Sequence, residues 1–320
     1  MKRILFIATG GTISCEPTES GLAPSLNAEQ IAEYIPEVKK LCEINAVQLF
    51  KLDSTDMSPR EWTQTAALIR REYDGYDGFV IAHGTDTMAY GAAALSCLIQ
   101  NSEKPVVLTG SQLPITAEGT DAKRNLLSAF AYAAYDGAWG VRLSFYGRII
   151  DGRCAYKQDT VGLNAFMSVG SADSGAVSFE GEVAVFHGLH SGETRFYDRM
   201  DTRTAVVKLT PGAPASALDI RGVRAVIIEG YGAGGIPDYG DGGYARALEN
   251  LLDRGIYVIF STQALCGGTE LSRYAVGSRY GGRVIEAGRM TAELAAMKTM
   301  WALAYSNNYE EFKRLFSAEI

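Results

Sequence analysis

Strand-like and helix-like patterns alternate four times over the first 135 residues, and this constrains the fold more than any other feature of the chain. Arg3-Ile4-Leu5-Phe6-Ile7-Ala8 is a short apolar run of the kind that forms a strand buried on both faces. Further strands are predicted over Ile44 to Leu52, Gly78 to Ala82 and Pro105 to Leu108. Between them lie helical spacings. Asn27 with Gln30 reads as a capping box before Ile31, Ile35, Val38 and Leu41. Ser58-Pro59-Arg60-Glu61 combines a cap, a proline at the first helical position and a glutamate three residues after the cap, ahead of a Trp62, Ala66, Ile69 and Tyr73 stripe. A third helix buries Met88, Ala92, Leu95 and Ile99, and a fourth runs from about Asp121 to Tyr135. Such an order specifies a parallel sheet with helices on both faces.

The remainder is less regular. Val141 to Ile150, broken at Gly147, suggests two strands joined by a turn, and from Asp159 to about Met200 no period is sustained. A second α/β pattern then begins: a strand over Val223 to Glu229, a glycine-rich turn over Gly230 to Gly235, a helix over Tyr244 to Arg254, a strand over Tyr257 to Phe260, and a helix over Thr291 to Ala304. Leu294, Met297 and Trp301 share one face of that last helix. The expected architecture is α/β: a larger N-terminal doubly wound, mostly parallel sheet domain over 1–190, a linker over 191–204 and a smaller C-terminal α/β domain over 205–320.

All four N-terminal strands end in small polar clusters: Thr9-Gly10-Gly11-Thr12, Asp53-Ser54-Thr55-Asp56, His83-Gly84-Thr85-Asp86 and Thr109-Gly110-Ser111-Gln112. One such cluster is an ordinary turn or cap; four at one edge of a sheet outline a cleft floor, where open α/β sheets bind ligands. Ser14 to Asn27, with Pro17, Ser20, Gly21, Pro24 and Ser25 and no period, is expected to be a mobile loop that could close over Thr12.

Composition narrows the chemistry. With 47% hydrophobic and 21% charged residues and a formal charge of −7, the chain reads as an ordinary globular protein without a broad nucleic-acid surface. Met1-Lys2-Arg3 leads straight into the first strand, and no apolar run reaches the roughly 20 residues that span a bilayer, so a cytoplasmic protein is expected. Five widely separated cysteines read as reduced core residues. Three histidines and no Gly-x-Ser-x-Gly elbow argue against a Ser-His-Asp hydrolase, with His83 divided between a turn-stabilising and a site-lining role. Nothing has the spacing of a metal site, and no cofactor is expected. The first glycine pair lacks the dinucleotide fingerprint, and Gly230 to Gly235 is followed by Pro237 rather than a helix onset. Thr12 remains either a nucleophile or a turn hydroxyl. A nucleophilic threonine needs a base, oxyanion donors and groups that fix the substrate. Thr85 and Asp86 with a lysine from elsewhere would supply a hydroxyl-ammonium-carboxylate relay, though spacing alone does not choose the lysine.

Ala8-Thr9-Gly10-Gly11-Thr12-Ile13 and Asp77-Gly78-Phe79-Val80-Ile81-Ala82-His83-Gly84-Thr85-Asp86-Thr87-Met88 resemble the two defining motifs of the bacterial-type L-asparaginases, in particular their cytoplasmic type I branch. Asp53 to Met57, Thr109 to Pro114 and Tyr231 to Pro237 are similar to further type I segments in the same order, so the resemblance spans the chain. It implies hydrolysis of L-asparagine to L-aspartate and ammonia through an acyl-enzyme, with Thr12 as nucleophile and Thr85, Asp86 and Lys157 as second threonine, carboxylate and lysine. It also implies that Ser54 and Asp86 hold the ends of the substrate, that Gly11, Asp53, Thr55, Gly84 and Ser111 line the pocket, and that Glu270 reaches a neighbouring site in a homodimer or homotetramer. One position departs from the family pattern. Where many members carry a lid tyrosine in Gly-Tyr-x-Pro, this chain has Gly21-Leu22-Ala23-Pro24, and Leu22 takes no proton. Either Tyr274, the Lys157 relay or water then activates Thr12, or the chain turns over slowly. Rival expectations are the amidase subunit of a tRNA-dependent amidotransferase, a non-catalytic amino-acid-binding protein on the same scaffold, and a nucleotide-binding module.

Overall fold

The structure, a computed structural model, describes residues 1–18, 21–178, 181–190, 192–273 and 279–320. It divides into two compact units, Met1–Asp198 with Ile320, and Arg199–Glu319.

The first unit opens with β1 (Lys2–Gly10), a hairpin of β2 (Cys15–Thr18) and β3 (Gly21–Pro24), the short helix α1 (Ala28–Glu33) and β4 (Cys42–Leu52). There follow α2 (Pro59–Glu72), β5 (Gly78–Ala82), α3 (Met88–Leu98), β6 (Ile99–Gln100), β7 (Pro105–Thr109), α4 (Ala122–Ala134), β8 (Gly140–Phe145) and β9 (Arg148–Asp151). Five short strands complete the unit: β10 (Ala155–Lys157), β11 (Phe166–Ser168), β12 (Gly175–Val177), β13 (Val183–Val185) and β14 (Arg195–Phe196). The main sheet has eight strands in the order β13-β12-β9-β8-β7-β5-β1-β4. From β4 to β8 every pairing is parallel, and from β8 to β13 every pairing is antiparallel. Parallel strands are covered on both faces, which is why Ile4 to Ala8 and all of β5 and β7 are buried without alternation. On one face Phe6, Val80 and Val107 pack with Leu126, Ala129 and Phe130 of α4, the Phe6 and Phe130 rings lying 5.6 Å apart. α3 covers the other face, where Gly91 faces Leu108.

Both helix starts read from caps are formed: Asn27 and Ser58 each make a full capping box. Three expectations change. The Ile31 to Leu41 helix stops at Glu33, because Pro36 removes a backbone donor and starts a separate 3₁₀ turn over Pro36–Lys40. Part of the stretch expected to be a loop is paired: β2 and β3 run antiparallel from Cys15 opposite Pro24 to Thr18 opposite Gly21. The stretch beyond Asp159 carries real strands, of which β12 and β13 extend the main sheet, β11 pairs with β10, and β14 pairs with β6.

The second unit holds β15 (Thr204–Lys208), β16 (Ala225–Gly230), α5 (Gly243–Asp253), β17 (Tyr257–Thr262), β18 (Ile285–Glu286), α6 (Ala292–Ala304) and α7 (Tyr309–Ser317). Its four strands run parallel in sequence order. Val226, Ile228, Val258 and Phe260 of this sheet share a core with Tyr244, Leu248 and Leu251 of α5. The Gly230 to Gly235 turn closes on itself: Tyr231 N donates to Gly235 O (2.8 Å) and Gly235 N to Tyr231 O (2.7 Å). No helix starts until Gly243, so the turn does not lead directly into a helix N-terminus. No helix among the described residues is long and apolar enough to cross a membrane.

Candidate active site

The chain runs from β1 to β4 on one side of the sheet and then returns to β5 on the other side of β1. The connections leaving β1 and β5 therefore diverge, and a crevice opens at their carboxyl ends. Glycines let the strand ends converge there. Gly11 has φ 77° and ψ 176°, a region that only glycine occupies freely. A side chain on Gly11 would run into the Cα and N of Gly84, one on Gly84 would lie 2.6 Å from Cβ of Ser54, and one on Gly110 would strike the carbonyl of His83. The ends of β1, β4, β5 and β7 are thus packed backbone against backbone.

Thr12 follows Gly11 in a single 3₁₀ turn over Thr12–Ser14. Gly11 is pinned from both sides: its N–H donates to Leu52 O (2.9 Å), and its carbonyl accepts from Ser14 N (3.0 Å) and Ser14 Oγ (2.9 Å). The Thr12 hydroxyl, half-buried, has no hydrogen-bond partner among the described residues. Ser54 is buried; its hydroxyl accepts from Asp86 N (3.2 Å), and its carbonyl accepts from the Thr87 hydroxyl (2.7 Å). Asp53 and Thr55 are exposed, and the Asp53 carboxylate accepts from both the N–H (2.8 Å) and the hydroxyl (2.9 Å) of Thr55.

Lys157 reaches the same crevice from β10. Its Nζ donates to Thr85 Oγ1 at 2.9 Å and to Asp86 Oδ1 at 2.6 Å. The lysine side chain is 14% exposed and the Asp86 carboxylate 56%, so the ammonium is largely removed from water while its counter-ion faces solvent. The three groups that spacing could not connect are therefore one hydrogen-bonded unit. Ser111 is buried and its hydroxyl donates to Leu113 O at 2.5 Å. Its loop is held by Asp121, which accepts from Gln112 N (3.0 Å), Leu113 N (3.1 Å) and Asn125 Nδ2 (2.9 Å). Gln112, which strand-end reasoning includes without a role, contacts the Thr85 hydroxyl at 3.2 Å.

His83 is a structural residue. It is buried, its Nδ1 donates to Gly84 O (2.7 Å), and its Nε2 accepts from Trp62 Nε1 (3.2 Å). Burial pushes its pKa down to about 4, so the ring is neutral and its tautomer is fixed. His187 and His190 flank Trp139 in a separate cluster and hydrogen-bond to the Tyr132 hydroxyl and to Asn101 O. No disulfide forms among the described residues, and Cys266 is exposed rather than in the core. No group of three His, Cys, Asp or Glu side chains among the described residues could hold a metal ion. The Leu22 backbone pairs with Pro17 in the hairpin. Tyr274 lies outside the described residues. Glu270 is exposed and pairs with Arg273 at 2.6 Å.

Comparison with known proteins bears on the family and the fold. The family model described as asparaginase, N-terminal, matches residues 3–189, and that described as glutaminase/asparaginase C-terminal domain matches residues 203–316. The L-asparaginase of Thermococcus kodakarensis is 38% identical over 99% of this chain and 98% of its own. A solved structure of the thermostable L-asparaginase from that organism aligns with a TM-score of 0.90 and 37% identity, covering 99% of this chain and 97% of that one. The structure of a probable cytoplasmic L-asparaginase from Campylobacter jejuni aligns over all of both chains, with a TM-score of 0.86 and 25% identity. A component of the glutamyl-tRNA(Gln) amidotransferase of Pyrococcus furiosus is 32% identical over 98% of this chain but only 74% of its own length. With both halves matched in order and a relative this similar from end to end, the chain belongs to the asparaginase family.

Proposed function

We propose that this protein is an L-asparaginase that hydrolyses L-asparagine to L-aspartate and ammonia through an acyl-enzyme on Thr12. The observation that carries the reading is the unit of Lys157 Nζ, Thr85 Oγ1 and Asp86 Oδ1, set beside the Gly11–Gly84 contact that brings the Thr12 turn to the same strand edge. In the first half-reaction the Thr12 oxygen attacks the side-chain amide carbon, its proton passes to the leaving nitrogen, and ammonia departs. Water then attacks the acyl ester, returns a proton to Thr12 and releases aspartate. Atoms balance with one water consumed. A lysine held between a hydroxyl and a carboxylate, mostly out of solvent, is placed within hydrogen-bond reach of the groups between which such protons move.

Ser54 and Asp86 are assigned to the α-carboxylate and α-amino group of the substrate. Asp86 is half-exposed beside the lysine and so has acceptor capacity left over; Gly11, Asp53, Thr55, Gly84 and Ser111 belong to the walls. With Leu22 at the lid position, the proton of Thr12 is assigned to the Lys157 relay. The same reading includes a cytoplasmic homodimer or homotetramer, supported by family membership and by the description of the C. jejuni neighbour. The amidotransferase relative is longer than this chain, which leaves a stretch of that relative without a counterpart here.

The test is ammonia release from L-asparagine by the wild type, Thr12→Ala and Thr85→Ala. Activity in the wild type and its loss in both variants supports the reading; full activity in either variant sinks it. Gel filtration checks the assembly, and elution as a monomer would contradict it.

A further inference from the structure

Outside the residues assigned above, one side chain touches the relay and is itself fixed from behind. Gln112 approaches Thr85 Oγ1 at 3.2 Å with one end of its amide and Gly162 O at 3.2 Å with the other. A backbone carbonyl only accepts, so the atom facing Gly162 must be the NH₂ group, and the oxygen must face Thr85. The Thr85 hydroxyl is then obliged to donate to Gln112, because an amide oxygen carries no proton. Lys157, donating to the same Thr85 oxygen at 2.9 Å, sees only lone pairs. The direction of the Thr85–Gln112 hydrogen bond thus follows from the carbonyl of Gly162.

That carbonyl is held in turn. Gly162 sits in the connection between β10, which carries Lys157, and β11. Asp159 Oδ1 accepts from Val161 N (2.8 Å) and Gly162 N (2.9 Å), closing the turn that presents the carbonyl. Bonds from Gly162 and Val161 hold the Asp159 carboxyl below its usual range, as expected for a carboxylate capping backbone N–H groups. On the other side, Gln112 is anchored by its own N–H to Asp121. It therefore joins the loop after β7 to the loop after β10, with Thr85 between them.

We infer that Gln112 is a positioning residue for Thr85: it accepts the hydrogen bond that the hydroxyl donates, keeps the threonine oxygen an acceptor toward Lys157 and the crevice, and locks the Lys157 loop to the strand edge through Gly162. The inference rests on the asparaginase reading for its activity readout. Gln112 touches no reacting atom in this scheme, so its loss changes turnover rather than substrate binding.

The experiment is steady-state kinetics with L-asparagine, across pH, on wild type, Gln112→Met, Gln112→Glu and Asp159→Ala. Gln112→Met keeps the length and removes both hydrogen bonds; kcat is expected to fall at least ~10-fold with KM within ~2-fold, a smaller loss than the ~10²–10⁴-fold that a proton-transfer group itself supplies. Gln112→Glu retains an acceptor for Thr85 and adds a negative charge one hydroxyl away from the ammonium. It should retain more kcat than the methionine variant, because Thr85 keeps an acceptor there. Asp159→Ala lies in an exposed turn and frees the Gly162 carbonyl without touching Thr85; a smaller loss in kcat at unchanged KM is expected, which keeps the test open should the methionine variant fold poorly. A methionine variant with wild-type kcat and pH profile, or one impaired only through KM, overturns the inference. A wild type inactive on asparagine would overturn the functional reading instead, and the two failures are distinct.

Discussion

If backbone-to-backbone packing of strand ends builds the crevice, Gly11→Ala should be far more damaging than an ordinary glycine substitution. Two costs add. The Gly11 backbone, at φ 77° and ψ 176°, is in a region that other residues enter at about 1–3 kcal/mol. The new methyl group also meets Cα and N of Gly84, and relief of such overpacking costs about 1–3 kcal/mol. Together that is roughly 2–6 kcal/mol, which in a unit of this size lowers the melting temperature on the order of 5–20 °C. Gly119 supplies the control: its φ is 71°, yet a methyl there meets nothing within 4 Å. Gly119→Ala should bear only a left-handed backbone penalty of about 1–2 kcal/mol. The recoil of Gly84 in the first variant also shifts Thr85 and Asp86, and displacement on the scale of ~1 Å lowers kcat/KM by about 100-fold. Thermal melts and asparaginase assays on the two variants decide the matter. A Gly11→Ala protein that melts no lower than Gly119→Ala, or that keeps wild-type kcat/KM, would refute the close-approach account.

Lys157→Met should reduce kcat by about 10²–10⁴-fold, the range of positioned proton transfer, while shifting stability by less than about 1 kcal/mol because Asp86 is half-exposed and can rehydrate; a coincident collapse in melting temperature would contradict this. His83 makes stability depend on pH. Its folded pKa of about 4 lies below the ordinary 6.5, so the unfolded chain binds the extra proton first, and stability falls as pH drops from 6.5 toward 4. Between pH 7 and pH 5 this amounts to about 2 kcal/mol, measurable as a difference in urea midpoint that His83→Gln should lack; equal pH slopes in the two proteins would rule it out. Asp121→Ala leaves the N–H groups of Gln112 and Leu113 without their acceptor and should cost roughly 2–4 kcal/mol in denaturant unfolding, with Asp121→Asn intermediate; identical unfolding curves for all three would show that the loop is held otherwise.

The parts of the fold that can be read in the sequence are those whose local physics is strong. A strand covered on both faces is an unbroken apolar run, so β1, β5 and β7 announce themselves, and the caps at Asn27 and Ser58 mark the starts of their helices. The Ile31 to Leu41 stripe misleads because apolar spacing carries through Pro36 while the helix cannot. Strands of three or four residues, such as β2, β3, β12 and β13, are too short for a period to register, and only their pairing makes them strands. By contrast α7 has a local signal that the sequence reading above does not use: Asn308 caps it, and Phe312 and Phe316 sit one turn apart and are both buried.

The site divides along the same line, and the reason is geometric. Gly11, Ser54, Gly84 and Thr85 can be grouped in advance because each follows a strand end, and a parallel sheet brings its strand ends to one edge. Lys157 cannot, since it lies on the three-residue strand β10, outside the main sheet, and only family resemblance singles it out. Nor does spacing assign Gln112 a partner. Its amide is oriented by a carbonyl 50 residues away. Residues that bound the crevice are thus set by topology and written as glycines and small polar groups after apolar runs. Residues that direct protons across it are set by contacts between loops, so the side chains most decisive for catalysis here are the ones that pattern alone is least able to name.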